Sequence, residues 1–463
     1  MPVKRLAMSN SNLVRTLQTV ALIALAVGLV ILLGASVVRW TMGIRELAIL
    51  LIGIVTVVVM LAPRPALLRA GFYFWIATFV VGWRQIWITS NLKIHPAEAV
   101  IWFLFLVLFV QRITQQKPIV SWLPLSYGLF LLLGIVGLFN GIYNHVTWDV
   151  ILSEFKSFLV VIPILYVSRE VIESMADLRR ALIVFTLTAV FVATLGIVEH
   201  YAPGWVAPLS GYFGNNPILY SQQGFARANF TFFGGAIASI FLVTVWLVNL
   251  SLVYSTQHRW VAFLWLAGAV MSGFAIYLSG NRAPWVGAFV GLCIFVLFDL
   301  RRRGVIVLAG LALLPLLPQQ FYHHLWAVVD PTRYYDTSVL KRRQWFQSAL
   351  DLTWHNPIIG RGWGSSGWVH SDLLQIAANL GVPALALFLL WYVDKIYKLV
   401  LVVRKSASSI LSTYAAGILS GLIAVLICLS AESIILLPQL IVPIWFLLAL
   451  ADATVRLAAT AEV

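Results

Sequence analysis

Residues 410–430, ILSTYAAGILSGLIAVLICLS, run through 21 positions without one charged side chain. As an α-helix at about 1.5 Å per residue, such a stretch covers the roughly 30 Å of a bilayer's hydrocarbon. Apolar runs of this kind recur from Leu17 to Ala451. They do not alternate apolar with polar residues as the strands of an outer-membrane barrel do, so the sequence reads as a bundle of spanning helices.

The composition agrees. Of 463 residues 61% are hydrophobic and only 10% are charged, and the mean hydropathy is +0.94. That is too little polar surface to cover a soluble globule of this size. Spans are expected near 17–38, 47–62, 71–88, 97–111, 119–139, 150–168, 180–199, 228–254, 260–279, 283–299, 304–318, 371–393, 410–430 and 436–455, an all-α polytopic bundle of about 12–14 transmembrane helices. The segments 71–88, 283–299 and 304–318 are short or closely coupled, so a pair of them also reads as half-helices. The stretch Leu17–Val38 follows Lys4, Arg5 and Arg15; it exceeds the apolar core of a signal peptide and is read as a first span. Cys293 and Cys428 both lie in apolar runs, which argues against a disulfide framework or a cysteine metal site. Gly287-x-x-x-Gly291 and Gly417-x-x-x-Gly421 are expected to let helices pack closely.

An N-terminus inside places Arg64 and Arg69, Arg112 and Lys117, Arg169 with Arg179 and Arg180, Arg301 to Arg303, and Lys395 to Lys405 in cytoplasmic loops, and an even number of spans returns Arg456 to the same side. Two longer connections, 200–227 and 319–370, fall on the opposite face. The second is far longer than an ordinary connection and suggests a functional loop with helices of its own. Within it Val339–Thr353 reads as an amphipathic helix: Trp345, Phe346, Ala349, Leu350 and Leu352 suit the membrane or the bundle, and Lys341, Arg342 and Arg343 form the polar side. The expected organisation is N-terminal spans in 1–200, central spans with arginine sites in 201–318, the loop 319–370, and C-terminal spans in 371–463.

The outer segments break the positive-inside pattern with Arg227, Arg282, Arg333, Lys341, Arg342, Arg343 and Arg361. An arginine fork matches phosphate oxygens, so a diphosphate at the membrane surface would engage several such forks. The competing reading has them reach lipid headgroups or balance Asp330, Asp336 and Asp351. Arg282 stands out, because Ser279-Gly280-Asn281-Arg282-Ala283-Pro284 is a polar break between two apolar runs. Arg227 likewise precedes a long span. His370, in Trp368-Val369-His370-Ser371-Asp372, ends the loop; free imidazole titrates at about pH 6.5 and accepts a proton from a hydroxyl near neutrality, although a lone histidine also serves structure. Glu432 is as well suited to pairing with an arginine as to a structural place. His323 and His324 lack the partners a metal site needs. Gly362, Gly364 and Gly367 form G-x-G-x-x-G outside any βαβ context, and read instead as a flexible turn leading to His370. No Walker A pattern and no D-x-D occurs.

These segments resemble the O-antigen ligase and polymerase superfamily, membrane glycosyltransferases that share the Wzy_C region. Three matches over roughly 225–450 carry the resemblance: Leu278 to Ala283 as its serine–arginine element, Arg342-Arg343-Gln344-Trp345 with Asn356-Pro357 through Gly362 as its arginine-to-tryptophan helix and proline–glycine turn, and His370-Ser371 with Gly381 as its histidine motif. The resemblance implies a GT-C-type bundle, an undecaprenyl-diphosphate-linked glycan as donor, the arginines as its diphosphate ligands and His370 as base. Two departures stand: Gly280-Asn281 separates Ser279 from Arg282, and Arg342 to Trp345 is one residue shorter than usual, so either Lys341 or Arg342 holds that role.

The expected activity is a metal-independent glycosyl transfer in the bacterial inner membrane at its periplasmic face, with His370 and Arg282 catalytic and Arg227, Arg282, Lys341, Arg342 and Arg343 on the diphosphate. No cofactor, metal or nucleic acid is implied; membrane lipids surround the chain. The acceptor is lipid A–core for a ligase, the reading favoured here, or a second lipid-linked glycan for a polymerase. A solute transporter or lipid-carrier flippase is the rival of another class, and would show inverted repeats and a charged site at mid-membrane.

Overall fold

The computed structural model describes residues 65–81, 86–87, 93–114, 123–202, 219–220, 226–227, 235–298, 337–406, 408–435 and 437–461, together with Trp205, Gly304 and Tyr322. The chain divides into two compact units, 1–71 with 106–120, and 72–105 with 121–463. In the first, 65–71 and 106–114 are described and are helical. The second holds nearly all that is described.

In chain order the helices are α1 (Pro65–Ala77, extended by a 3₁₀ turn Thr78–Val81), α2 (Pro96–Thr114), α3 (Leu125–Tyr143), α4 (Trp148–Leu159), α5 (Val161–Val171), α6 (Met175–Tyr201), α7 (Gly235–Ser255), α8 (Arg259–Leu278), α9 (Arg282–Leu297), α10 (Thr337–His355), α11 (Asp372–Leu380), α12 (Val382–Lys405), α13 (Ser409–Ala431) and α14 (Pro438–Ala461). Two antiparallel ladders of two residues per strand accompany them: β1 (Ile86–Trp87) with β2 (Lys93–Ile94), and β3 (Leu219–Tyr220) with β4 (Ala226–Arg227). The protein is an all-α polytopic membrane protein. Among the described residues eight segments are long and apolar enough to cross a membrane: α2, α3, α4–α5 together, α6, α7, α8, α13 and α14. On α3 and α8 the outward residues are apolar too, Leu132 and Phe139 on one and Phe263, Leu264 and Val270 on the other, as a lipid environment requires. The spans expected at 17–38, 47–62 and 304–318 fall outside the described residues, Gly304 aside, and so does 319–336 except Tyr322.

Two expected spans are corrected. The segment 71–88 is not one helix, since the helical run stops at Val81 and Ile86–Trp87 pair with β2; Gly82 and Arg84 interrupt the apolar run there. The segment 371–393 is two helices parted at Gly381, whose φ of 88° is left-handed. Pro383 then sits in the first turn of α12, where its missing N–H costs nothing. The whole 24-residue α12 carries Asp394, Lys395 and Lys398 and is not among the eight apolar segments.

Helix starts follow the sequence's capping chemistry: Ser174, Ser371 and Ser408 each accept a bond from a backbone N–H of the first turn of α6, α11 and α13. Both small-residue motifs mark close approaches. A Cβ on Gly287 would lie 2.9 Å from the Ala424 carbonyl oxygen, and one on Gly417 would lie 2.9 Å from that of Leu247. Gly291 faces Ser420 and Ala424, so α9 runs antiparallel to α13. The interior is aromatic: Phe158 lies against Phe130, Trp363, Phe388 and Trp445. Pro163 cannot continue α4, and the helix breaks at Val160. Carbonyls near that break find aromatic donors, with Trp445 Nε1 donating to Ser157 (2.8 Å) and Tyr127 Oη to Phe158 (2.6 Å).

Candidate active site

Helix α10 docks through one face. Phe346, Ala349 and Leu352 pack with Val369, Leu374 and Ala378. At 3.6 residues per turn that face continues back through Trp345 to Arg342. Arg342 therefore lies on the packed side, not on the polar side with Lys341 and Arg343, which are exposed. Of the residues expected to lie against the membrane or the bundle, Leu350 does not face the bundle and is exposed, because it is about a quarter-turn off the stripe.

The segment after α10 is fixed, in contrast to the flexible turn the glycines suggest. Gly360, Gly362, Gly364 and Gly367 all have positive φ. The Arg361 and Gly362 N–H groups donate to the Ala378 and Asn379 carbonyls at 3.0 and 2.7 Å, and Val382 N donates to Pro357 at 2.8 Å. From α3, Asn140 Nδ2 reaches the Gly360 carbonyl at 2.6 Å and Asn144 Nδ2 that of Arg361 at 2.9 Å. Trp363 is driven into the bundle, where its indole donates to Gly134 at 2.7 Å. Glu154, buried in α4, accepts from Gly364 N (2.8 Å), Gln375 Nε2 (3.0 Å) and Asn379 Nδ2 (2.8 Å). These bonds tie the loop to four helices, α3, α4, α11 and the start of α12.

The outcome is the placement of His370. Its φ of 56° is left-handed, a conformation that costs a non-glycine residue on the order of 1–2 kcal/mol and that the surroundings must hold. Its N–H donates to Ser433 Oγ at 2.8 Å. The ring stacks on Trp345 at 4.6 Å with an interplanar angle of 19°, and Trp368 meets it edgewise at 5.6 Å. Nδ1 lies 3.4 Å from Glu432 Oε2. Glu432 Oε1 in turn accepts from Arg342 Nη2 at 2.8 Å, while Arg342 Nη1 donates to the Ala431 carbonyl at 3.3 Å, which places a cation at the C-terminal end of α13. The side chain of His370 is 22% exposed.

Asp372, two residues on, is fully buried. Its two oxygens accept the Ile434 and Ile435 N–H groups at 2.8 and 3.1 Å, clamping the chain just past Glu432. Burial pushes its carboxyl well above the usual range; the two N–H bonds oppose that, and the nearby charges of Glu432 and Glu154 reinforce it. A small cavity is lined by Glu154, Phe158, Trp363, Asp372, Gln375, Ile376 and Ile435.

Arg282 is the first residue of α9, after the left-handed Gly280 (φ 63°), and Ser279 Oγ accepts from Asn281 N at 3.2 Å in the same turn. Since α9 is antiparallel to α13, Arg282 stands at the end of the bundle where α13 delivers Glu432. Arg227 lies in β4 opposite Leu219; its side chain and Arg333 are outside the described residues. Arg361 is exposed, beside a groove with Ser348, Asp351, His355 and Asn356. Of the sequence-derived residues, His370 and Arg342 are thus brought together by a shared partner, Glu432.

Glu154 escaped the sequence reading, although a carboxylate inside an apolar span is itself a signal. Asp372 and Trp345 are visible in the motifs, and nothing in their spacing assigns them partners. A fixed imidazole beside a carboxylate and a guanidinium, at a helix-bundle end with a second arginine, can move a proton next to a site for anionic oxygen.

No curated protein matches the chain. Residues 267–389 match the family model Wzy_C, described as O-antigen ligase. That segment runs from α8 to α12 and includes Arg282, Arg342, Trp345 and His370, while Arg227 and Glu432 lie outside it. The match over 267–389 is consistent with the O-antigen ligase and polymerase superfamily.

Proposed function

We propose that this protein is an O-antigen ligase of the inner membrane, transferring glycan from an undecaprenyl-diphosphate-linked donor to a hydroxyl of lipid A–core at the periplasmic face. In this reading His370 takes the proton of the acceptor hydroxyl. The oxygen attacks the anomeric carbon, the bond to the diphosphate breaks, and its electron pair leaves with the diphosphate. Arg282, with Arg227 and the exposed Lys341 and Arg343, stabilises that charge where water is scarce and preorganised donors count most. The transfer needs no metal in this scheme. The observation that carries the reading is His370, held in a left-handed backbone against Trp345 and Glu432 inside a Wzy_C domain.

The test is transfer by purified protein in liposomes containing lipid-linked glycan and lipid A–core. His370→Ala is expected to lose on the order of 10²–10⁴-fold in rate while still retaining the donor. Near-wild-type turnover in that variant removes the base assignment, and strict dependence on a divalent ion removes the mechanism. A product that is lengthened carrier-linked glycan, with lipid A–core untouched, reassigns the acceptor to a second lipid-linked chain.

A further inference from the structure

We propose that Glu432, outside the matched domain, is the positioning residue that selects which nitrogen of His370 acts; the proposal rests on His370 being the base. Four contacts define the ring. Trp345 covers one face, Trp368 meets it edgewise, Ser433 Oγ holds the backbone N–H, and Glu432 Oε2 faces Nδ1 at 3.4 Å. An ionised carboxylate only accepts hydrogen bonds, so the nitrogen facing it carries the proton. Nδ1 is then N–H, and the lone pair sits on Nε2, which these four contacts leave unengaged.

Arg342 holds that carboxylate in place. Its Nη2 binds Oε1 at 2.8 Å and its Nη1 bonds the Ala431 carbonyl, so the guanidinium bridges carboxylate and helix end. The Asp372 clamp on Ile434 and Ile435 fixes the same strand of chain from the other side. In the step itself the acceptor O–H proton moves to Nε2, giving an imidazolium whose Nδ1–H faces Glu432. The carboxylate stabilises the positive ring without taking its proton. Among the described residues, Glu432 pairs with Arg342 on α10, and Asp372 on α11 lies near enough to Glu432 for their charges to interact.

A double-mutant cycle tests this, with kcat, KM and melting temperature measured for Glu432→Gln, His370→Ala and the pair. Glutamine keeps the size and removes the charge. Glu432→Gln is expected to lower kcat on the order of 10²-fold with donor and acceptor KM nearly unchanged, and to do nothing further in the His370→Ala background, because residues that act as a unit are not additive. An equal loss in both backgrounds, a change confined to KM, or near-wild-type kcat in Glu432→Gln overturns the proposal and leaves His370 as base intact. Near-full turnover in His370→Ala alone removes the base itself, a distinct outcome. If Glu432→Gln does not accumulate, Glu432→Asp runs through the same cycle; it keeps the charge one methylene short, and a milder kcat loss that again vanishes without His370 is expected, whereas an additive loss overturns the proposal.

Discussion

The indole of Trp345 lies nearly parallel to the imidazole of His370, with ring centres 4.6 Å apart. The two residues come from different elements, α10 and the turn before α11, so the stack fixes the base only while α10 stays docked. An aromatic pair of this kind contributes about 0.5–1.5 kcal/mol beyond its buried area. Trp345→Ala is expected to lower kcat roughly tenfold at unchanged membrane abundance, and Trp345→Phe to restore most of it. Equal activity of the two variants would show that the stack does not position the ring.

At Arg282, lysine should be nearly as damaging as alanine, because an ammonium keeps the charge and loses the planar fork that engages two phosphate oxygens. Loss of such a charge-assisted pair is worth about 1.5–3 kcal/mol, or on the order of 10–10²-fold in kcat/KM. Full transfer by Arg282→Lys at normal abundance would return the residue to a snorkelling role.

Asp372 gives the protein a pH-dependent term. Its folded-state pKa lies above that of the unfolded chain, chiefly through burial, so between the two values the native state holds a proton that the unfolded chain has released. Stability from this group is greatest below the ordinary carboxylate range and falls as pH rises toward the raised pKa. Thermal unfolding in detergent across that window should show the fall, and Asp372→Asn should flatten it. An unchanged slope in the variant would assign the effect to another group.

Gly362→Ala should prevent stable assembly. A Cβ there would sit 2.0 Å from the Gly141 backbone nitrogen and 2.5 Å from the Asn140 carbonyl carbon, at a φ of 95°. Neither backbone can yield, and the combined conformational and steric cost is about 3 kcal/mol or more. Membrane abundance and melting temperature read the result; a normal melting temperature would mean that the turn rearranges freely.

Orientation is open to cysteine labelling. Trp354 is 83% exposed on α10, and a cysteine there, with Cys293 and Cys428 replaced by alanine, should react with an impermeant reagent in intact spheroplasts. Labelling only after lysis would invert the proposed topology.

Sequence alone determined the all-helical membrane class, because hydrocarbon imposes a length and a polarity that each segment must meet by itself, as 410–430 does. It also singled out Arg227, Arg282 and His370, since a charged or titratable side chain beside an apolar run is costly wherever it stands. The split at Gly381, the end of helical structure at Val81 and the docked face of α10 were not legible, because they depend on what lies opposite. Arg342 reads as one of three adjacent cations until α13 brings Glu432 to it from 90 residues away. The same holds for the glycines: their spacing suggests freedom, and only the packing of α3, α4 and α11 around them turns four left-handed residues into a rigid support. A tautomer depends on one carboxylate at one nitrogen, a relation between distant segments that tertiary structure alone decides.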